Sequence, residues 1–293
     1  MAINLHQWAG GAWRVGARRQ TVAAALAALG LAGLAGPAAA IQGGLATTGF
    51  ASVGTGVQVT ADWVFTAQHA GLAPGDTFTN GYGSRTVAAR FDAPGSGTFP
   101  ANDFTLLRLV AAPTTAPLLA VESLVPADGP IGPFQVTITS ASANGLTRSY
   151  GYTTVDSFVS MIDPDDAGPL GPVTANYLLS HSTSTYVLGG DSGRGLFLGE
   201  VVDTGSQTGI LWGINSGQLQ DAGGSASGSA FVVAAAYRTW IDQVMRDDLS
   251  DAQSVLWVTS VPEPATWALW GLGGFVLAGA ARRRRTPRAA DHG

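Results

Sequence analysis

Few residues of this chain could activate a nucleophile near neutral pH. The 293 residues include no cysteine, which excludes a thiol nucleophile, a cysteine-bound zinc ion and disulfide bonds. Two of the four histidines, His6 and His292, lie close to the ends of the chain. Since histidine is the usual base for hydrolysis through a serine, the candidates in the body of the chain are His69 and His181.

The segment before His69 is apolar and ends in a Thr-Ala pair, with the sequence WVFTAQH at residues 63–69. This pattern predicts a β-strand followed by a turn that presents the imidazole. A lone histidine after a strand is more often structural than catalytic. The segment therefore becomes informative only beside two further motifs.

The second motif places Asp103 directly before an apolar run, in the sequence NDFTLLRL at residues 102–109. A carboxylate that accepts the Nδ1 proton of a histidine fixes the tautomer in which Nε2 can act as a base. An Asp before a strand is also a common turn or cap residue. Asp103 is therefore a candidate partner of His69, and this assignment depends on the third motif.

The third motif surrounds Ser192 with glycines, in the sequence GGDSGRGLF at residues 189–197. A glycine-rich turn lets two backbone N–H groups converge on the oxyanion that forms when a serine attacks a carbonyl group. Gly190 can adopt backbone conformations that a side chain would obstruct. Glycine turns are plentiful in a chain with 40 glycines, so this motif is also weak by itself.

Together the three motifs closely resemble the histidine, aspartate and serine segments of the trypsin/chymotrypsin-like (S1-type) serine proteases. The family's segments are Thr-Ala-Ala-His-Cys and Gly-Asp-Ser-Gly-Gly-Pro, and Ala70 replaces the cysteine. The order His, Asp, Ser separates this family from subtilisins and α/β-hydrolases. Residues 213–217 also resemble the family's strand that binds the substrate backbone, and residues 231–245 resemble its C-terminal helix.

The resemblance implies an all-β fold of two antiparallel six-stranded β-barrels, with the active site in the cleft between them and a short C-terminal helix. It implies that His69, Asp103 and Ser192 form the catalytic triad of a serine endopeptidase that acts on a protein or peptide substrate. It also assigns the oxyanion hole to the amides of Gly190 and Ser192. No metal or cofactor is implied.

The resemblance also indicates where the substrate binds. Ser216 and Gly217 would bind its backbone, and the floor of the primary pocket would lie near Tyr186. Because no Asp or Glu lies between His181 and Gly189, cleavage after Arg or Lys is not expected. Tyr186 favours small or apolar side chains. His181 is expected to be structural, although a contribution to a pocket for acidic residues stays open.

The sequence departs from the family just beyond the nucleophile. Arg194 stands where the family usually has a second Gly, and Gly195 stands where it has Pro. Two other functions therefore stay open. One is a catalytically silent surface binding or matrix protein that has kept the barrels, which an unreactive Ser192 would favour. The other is a β-rich adhesin with chance motifs, which the absence of two barrels would favour.

The first 40 residues have the layout of a secretory signal peptide. Arginines precede an apolar run over residues 21–36, and small residues at 38–40 provide a site for signal peptidase. A buried N-terminal helix is the alternative. Cleavage after Ala40 would make Ile41 the mature N-terminus.

The new N-terminus would have the sequence IQGG, which resembles the Ile-Val-Gly-Gly start of activated family members. In those proteins the new α-amino group pairs with the Asp beside the catalytic serine, which is Asp191 here. A buried carboxylate needs a cation or hydrogen-bond donors. The resemblance therefore predicts a salt bridge between Ile41 and Asp191, formed by export without a separate propeptide.

The C-terminal end combines VPEP at residues 261–264, an apolar stretch over residues 265–281 and four arginines at residues 282–285. The apolar stretch has about the minimum length of a transmembrane helix, and the arginines would hold its end in the cytoplasm. An ordinary membrane anchor is one interpretation. The segment also closely resembles the PEP-CTERM sorting signal of Gram-negative bacteria. That resemblance implies export across the inner membrane, transient anchoring, recognition by an exosortase-type transpeptidase, and a final place at the cell surface or outside the cell.

The composition agrees with one β-rich domain between these ends. Charged residues make up only 12% of the chain and glycine is abundant, which is typical of short strands joined by turns. A net charge of −5 gives no basic face for nucleic acid. The predicted organisation is a signal peptide at 1–40, a protease domain at 41–247 with barrels at about 41–125 and 126–247, a linker at 248–260, the sorting signal at 261–285 and a basic and polar tail at 286–293.

Overall fold

The computed structural model describes residues 12–14, 41–95, 99–111, 118–142, 145, 147–162, 173–201, 209–221, 224–248 and 253–260. The predicted sorting signal and the predicted signal peptide, apart from residues 12–14, lie outside these ranges. The chain divides into two units, residues 1–258 and 259–293. No helix within the described ranges is long and apolar enough to cross a membrane.

The described residues are mostly β-strand, as the sequence predicted, with one α-helix near the C-terminal end. Two short 3₁₀ turns occur at Gln68–Ala70 and Ala234–Tyr237. The strands are β1 (Ala12–Arg14), β2 (Ile41–Gln42), β3 (Leu45–Thr47), β4 (Val57–Gln58), β5 (Trp63–Thr66), β6 (Thr77–Asn80), β7 (Gly83–Asp92), β8 (Thr105–Leu109), β9 (Ala120–Glu122), β10 (Gly129–Ala141), β11 (Arg148–Ile162), β12 (Val173–Ser180), β13 (Tyr186–Val187), β14 (Gly195–Leu198), β15 (Leu211–Gln220), β16 (Ala226–Val233) and β17 (Leu256–Val258), and the helix is α1 (Arg238–Asp248).

The first sheet is antiparallel and has the strand order β4-β5-β8-β7-β6. Strand β5 has the sequence WVFT, all of it buried, because the sheet is covered on both faces and β-branched and aromatic residues suit such a surface. The described residues give this sheet five strands, where the sequence predicted a six-stranded barrel. The strand that matters for the site is β5, which runs directly into the turn at Gln68–Ala70.

The second sheet contains a closed barrel. Its strands follow the order β14-β10-β11-β12-β16-β15, and β14 also pairs with β15, which closes the ring of six antiparallel strands. Closure pairs the edge strands of the ring. Residues 151–156 of β11 alternate between buried and half-buried, the period-2 pattern of a strand with one face in a core. This barrel has the six strands that the sequence predicted.

Several other strands join the second sheet from outside the ring. Strand β9 pairs in parallel with β15 and with β17, β3 pairs with β11, and β1 pairs in parallel with β15. Strands β2 and β13 form a separate two-stranded sheet. Strand β17 lies within the segment predicted as a linker. It is held there because the Trp257 indole donates a hydrogen bond of 2.8 Å to Asp242 of α1.

One hydrophobic core includes buried residues from both sheets and from α1. The rings of Phe65 and Phe104 meet edge to face at 5.2 Å, and Phe104 stacks on Tyr237 at 5.0 Å. Helix α1 buries Ile241 and Met245, which are four residues apart and therefore share one face. Each large apolar side chain buried in this way contributes about 1.5–3 kcal/mol. The predicted helical segment at 231–245 is α-helical only from Arg238, since its first residues complete β16 and Ala234–Tyr237 form a 3₁₀ turn.

Candidate active site

His69 is positioned by the end of β5. The chain leaves the strand at Thr66, makes the 3₁₀ turn that contains His69, and ends that turn at Gly71, whose φ of 81° is a left-handed conformation that glycine adopts readily. The edge of the Phe99 ring packs against the imidazole at a centroid distance of 4.6 Å. The side chain of His69 keeps 24% of its surface exposed. The imidazole is therefore fixed on one side and open on the other.

Asp103 lies in the turn before β8 and is completely buried. Its carboxylate accepts a hydrogen bond of 3.0 Å from the backbone N–H of His69 and lies 2.8 Å from the Nδ1 atom of the same residue. The hydroxyl of Ser216 in β15 donates a third hydrogen bond to it. A buried carboxylate is costly unless it is hydrogen-bonded, and these three contacts meet that need.

Ser192 lies in a turn between β13 and β14 that contains two left-handed glycines. Gly190 has a φ of 97° and Gly193 a φ of 87°. The Asp191 amide donates to the Leu188 carbonyl at 3.0 Å, and the Arg194 amide donates to the Asp191 carbonyl at 3.3 Å. Two successive tight turns therefore hold Ser192 between them, and we call residues 188–194 the nucleophile turn.

The hydroxyl oxygen of Ser192 lies 2.7 Å from the Nε2 atom of His69 and 3.2 Å from the carbonyl oxygen of Ser216. With the Nδ1 proton donated to Asp103, Nε2 is free to accept the proton of the Ser192 hydroxyl. The structure thus brings together the three residues that the sequence singled out, from three separate segments. This arrangement is chemically suited to activating a serine as a nucleophile.

The backbone amides predicted to form an oxyanion hole belong to the same turn. Within the described residues, neither the Gly190 amide nor the Ser192 amide donates a hydrogen bond to another protein group. Gly190 is exposed, and a Cβ at its position would meet nothing within 4 Å. Both amides are therefore available to a ligand at the open side of the turn.

Asp191 is a second buried carboxylate beside the nucleophile. It accepts a hydrogen bond from the Ser140 hydroxyl and one of 2.7 Å from the Leu188 amide. Burial raises the pKa of Asp191 to about 6, and those two hydrogen bonds and the charge of Arg194 oppose that rise. Ile41, its predicted partner, lies in β2 and pairs with Val187. The Ile41–Asp191 salt bridge is not among the contacts described and stays a prediction.

The predicted substrate-binding residues lie in strands near this turn and differ in their burial and contacts. Tyr186 is half-buried in β13 opposite Gln42, and Gly217 lies in β15 opposite Ala230. Ser216 is buried, and its hydroxyl points at Asp103. The side chain of Ser216 therefore supports the carboxylate, which leaves its backbone for any contact with a substrate.

His181 lies apart from these residues and has its own carboxylate partner. Its Nδ1 atom is 2.8 Å from Asp156, and both side chains are more than one third exposed. In the described ranges, no group of three or more His, Cys, Asp or Glu side chains could hold a metal ion.

The sequence analysis missed a group of buried polar side chains behind Asp103. The Tyr177 hydroxyl donates to the Pro100 carbonyl at 2.8 Å and lies 3.3 Å from the Ser216 hydroxyl. The Tyr237 hydroxyl donates to the Asn102 side chain at 3.0 Å. Burial, and after it the charge of Asp103, raises the pKa of Tyr177, so this phenol stays neutral. No local motif marks these residues, because they come from β12 and the turn before α1.

Comparison with known proteins identifies a motif at the C-terminal end. Residues 260–285 match the PEP-CTERM protein-sorting motif. A search of the curated proteins finds no match to the chain.

Solved structures similar to this chain include two proteins of animal origin. One is neuropsin, a serine protease expressed in the limbic system of mouse brain, with a TM-score of 0.46 and 19% identity, covering 65% of this chain and 87% of neuropsin. The other is human heparin binding protein, with a TM-score of 0.48 and 17% identity, covering 72% of this chain and 99% of that protein.

The motif at residues 260–285 marks proteins that are exported and sorted to the cell surface, and it implies recognition by the sorting enzyme exosortase.

Proposed function

We propose that this chain is an exported serine endopeptidase that hydrolyses peptide bonds through an acyl-enzyme on Ser192. One observation carries the proposal. The Ser192 hydroxyl, the His69 imidazole and the Asp103 carboxylate form an unbroken series of contacts of 2.7 and 2.8 Å. A serine hydroxyl is a weak nucleophile by itself and needs such a base and orienting group.

In the proposed mechanism, His69 Nε2 takes the proton of the Ser192 hydroxyl while its oxygen attacks the carbonyl carbon of the peptide. The carbonyl oxygen becomes an oxyanion, which the Gly190 and Ser192 amides would bind. Collapse of this intermediate breaks the C–N bond, and His69 gives its proton to the leaving amine. Water then attacks the acyl group with His69 again as base, which releases the acid and restores Ser192.

The Asp103 carboxylate would stabilise the imidazolium that forms on His69 in each half of the reaction. The Ser216 hydroxyl and the His69 backbone amide both donate hydrogen bonds to this carboxylate and so fix its position beside the His69 ring. The carboxylate is not required to take up a proton. It holds His69 in the required tautomer and stabilises the positive charge of the imidazolium.

We propose that the substrate lies along β15 and enters a primary pocket near Tyr186. Ser216 and Gly217 would contact the substrate through backbone groups, since the Ser216 hydroxyl is used by Asp103. The segment at 181–189 holds no carboxylate, so an apolar or small side chain before the cleaved bond is favoured over Arg or Lys. Strong cleavage after Arg in a peptide library would contradict this part of the proposal.

We also propose how the protein reaches its place. Signal peptidase would remove residues 1–40 during export across the inner membrane of a Gram-negative bacterium. The segment at 265–281 would anchor the protein in the membrane until an exosortase-type transpeptidase acts on the sorting motif. The mature enzyme would then be at the cell surface or outside the cell.

The experiment that tests the enzymatic proposal uses the full chain, purified in detergent, and a fluorophosphonate that labels activated serines. We expect labelling of the parent and none of the Ser192→Ala and His69→Ala variants. The matched control is His181→Ala, which removes the other histidine bonded to a carboxylate and should be labelled like the parent. A folded parent that stays unlabelled both as the full chain and after cleavage before Ile41 would contradict the proposal and favour a silent binding protein.

A further inference from the structure

A buried arginine belongs to the nucleophile turn itself. Only 6% of the surface of Arg194 is exposed, although it lies two residues after Ser192. Its guanidinium donates one hydrogen bond of 2.7 Å to the Ser192 carbonyl and another of 2.7 Å to the Ala141 carbonyl at the end of β10. One side chain therefore connects the backbone of the nucleophile to a strand of the closed barrel.

A buried guanidinium requires an anion nearby as well as acceptors for its donors. Burial lowers the pKa of Arg194, while the carboxylate of Asp191 raises it. Asp191 is completely buried as well. Among the described residues the two side chains form no ion pair, so separate hydrogen bonds hold each buried charge.

The charge of Asp191 also fixes the shape of that turn. One oxygen of its carboxylate accepts from the Leu188 amide and the other from the Ser140 hydroxyl, which belongs to the same end of β10 as Ala141. Asp191 and Arg194 are thus attached to one strand end by separate contacts. Moving either of them would shift the Gly190 and Ser192 amides.

We infer that Arg194 is a positioning residue, which holds the Ser192 carbonyl on the end of β10 from within the nucleophile turn. The turn is then formed without a free amino group at Ile41, so the uncleaved chain already has a reactive Ser192. This inference rests on the proposed peptidase function. It also competes directly with activation by an Ile41–Asp191 salt bridge.

The first arm of the test measures fluorophosphonate labelling of the full chain that still begins at Met1. We expect this uncleaved chain to be labelled at Ser192. Arg194→Met should be labelled about 30-fold more slowly, because it leaves the Ser192 and Ala141 carbonyls without their donor. Arg194→Lys keeps the charge and should recover part of the rate. Labelling that begins only after cleavage before Ile41 would overturn the inference.

The second arm does not depend on activity and measures amide hydrogen exchange of residues 186–196. Exchange should be about tenfold faster in Arg194→Met. Arg194→Lys, which keeps a donor for these two carbonyls, should exchange at a rate between those of Arg194→Met and the parent. The matched control is Arg85→Met, which breaks a buried pair with Asp62 in the first sheet and should leave exchange in the nucleophile turn unchanged.

The two arms separate the inference from the proposed function. A parent that is never labelled, with faster exchange in Arg194→Met and partial recovery in Arg194→Lys, would remove the peptidase but keep Arg194 as the positioning residue. Equal exchange in the parent and Arg194→Met would overturn the inference whatever the labelling shows. Equally fast exchange in Arg194→Met and Arg194→Lys would also overturn it, because a donor restored to the two carbonyls predicts recovery.

Discussion

The candidate site contains two buried carboxylates that are held in different ways. Asp103, in the corner that carries His69, is supported by hydrogen-bond contacts from the His69 ring, the His69 backbone and Ser216. Asp191, in the nucleophile turn, accepts hydrogen bonds from Ser140 and Leu188, and burial still raises its pKa to about 6. The comparison indicates that the two donors of Asp191 do not fully offset the cost of burying its charge.

The largest effect is expected from a variant that disrupts the contacts of Asp103 with His69. Asp103→Asn keeps the shape of the side chain but favours the wrong tautomer of His69, so kcat should fall about 10⁴-fold. Peptide hydrolysis and the rate of fluorophosphonate labelling measure this loss. The variant should still fold, because an amide oxygen can accept from the His69 backbone. A loss of less than about tenfold would show that Asp103 does not orient the base.

The next prediction concerns Asp191 and has a definite sign. Its pKa is about 6 in the folded protein and 3.8 is the ordinary value, so the folded state binds the proton more tightly. The carboxyl therefore costs no stability below about pH 4, and the cost grows to about 3 kcal/mol as pH rises through 6. Chemical denaturation of the parent and Asp191→Asn should show this growing difference. A difference that does not change between pH 4 and 7 would contradict the assignment.

A smaller effect is expected from the backbone of the nucleophile turn. Gly193→Ala would place a Cβ 2.6 Å from the Thr55 carbonyl, in contact with Thr66 as well, at a residue with a φ of 87°. We expect a loss of about 2–3 kcal/mol in the free energy of unfolding. The matched control is Gly75→Ala, whose φ is 94° but whose Cβ would meet nothing within 4 Å. Equal losses in both variants would show that the close approach at Gly193 does not matter.

The smallest expected effect sharpens the account of Asp103. Ser216→Ala removes one donor and leaves two contacts with His69, so the free energy of unfolding should fall by about 1–2 kcal/mol. The labelling rate should fall about tenfold or less, far below the effect of Asp103→Asn. A loss as large as that of Asp103→Asn would mean that Ser216, rather than His69, dominates the environment of the carboxylate.

The sequence was sufficient to predict the β-rich fold, the short C-terminal helix and the strand whose following turn carries His69. Each of these depends on a local pattern, such as the buried WVFT of β5 and the glycines beside Ser192. The five strands of the first sheet and the presence of β17 could not be predicted, because they depend on which distant segments pair. The helix began at Arg238 rather than Phe231, because apolar residues complete a strand first.

The surroundings of the site were less predictable than its central residues. Ser216 was expected to bind substrate, yet its hydroxyl lies on Asp103. Tyr177 comes from a different strand, and only the closed barrel places it behind Ser216. Arg194 was recognised only as a departure from a family pattern. Its bonds to Ser192 and Ala141 could not be predicted, because Ala141 is distant in sequence.

The most direct test of the central claim is to trap the covalent intermediate. An activated peptide ester would be mixed with the full chain, quenched in acid within the first turnover, and the digested protein analysed by mass spectrometry. The account predicts an acyl group on Ser192, which disappears on longer incubation as water releases it and is absent from His69→Ala. Hydrolysis of the ester without an acyl group on Ser192 would contradict the account, as would a folded protein that reacts neither as the full chain nor after cleavage before Ile41.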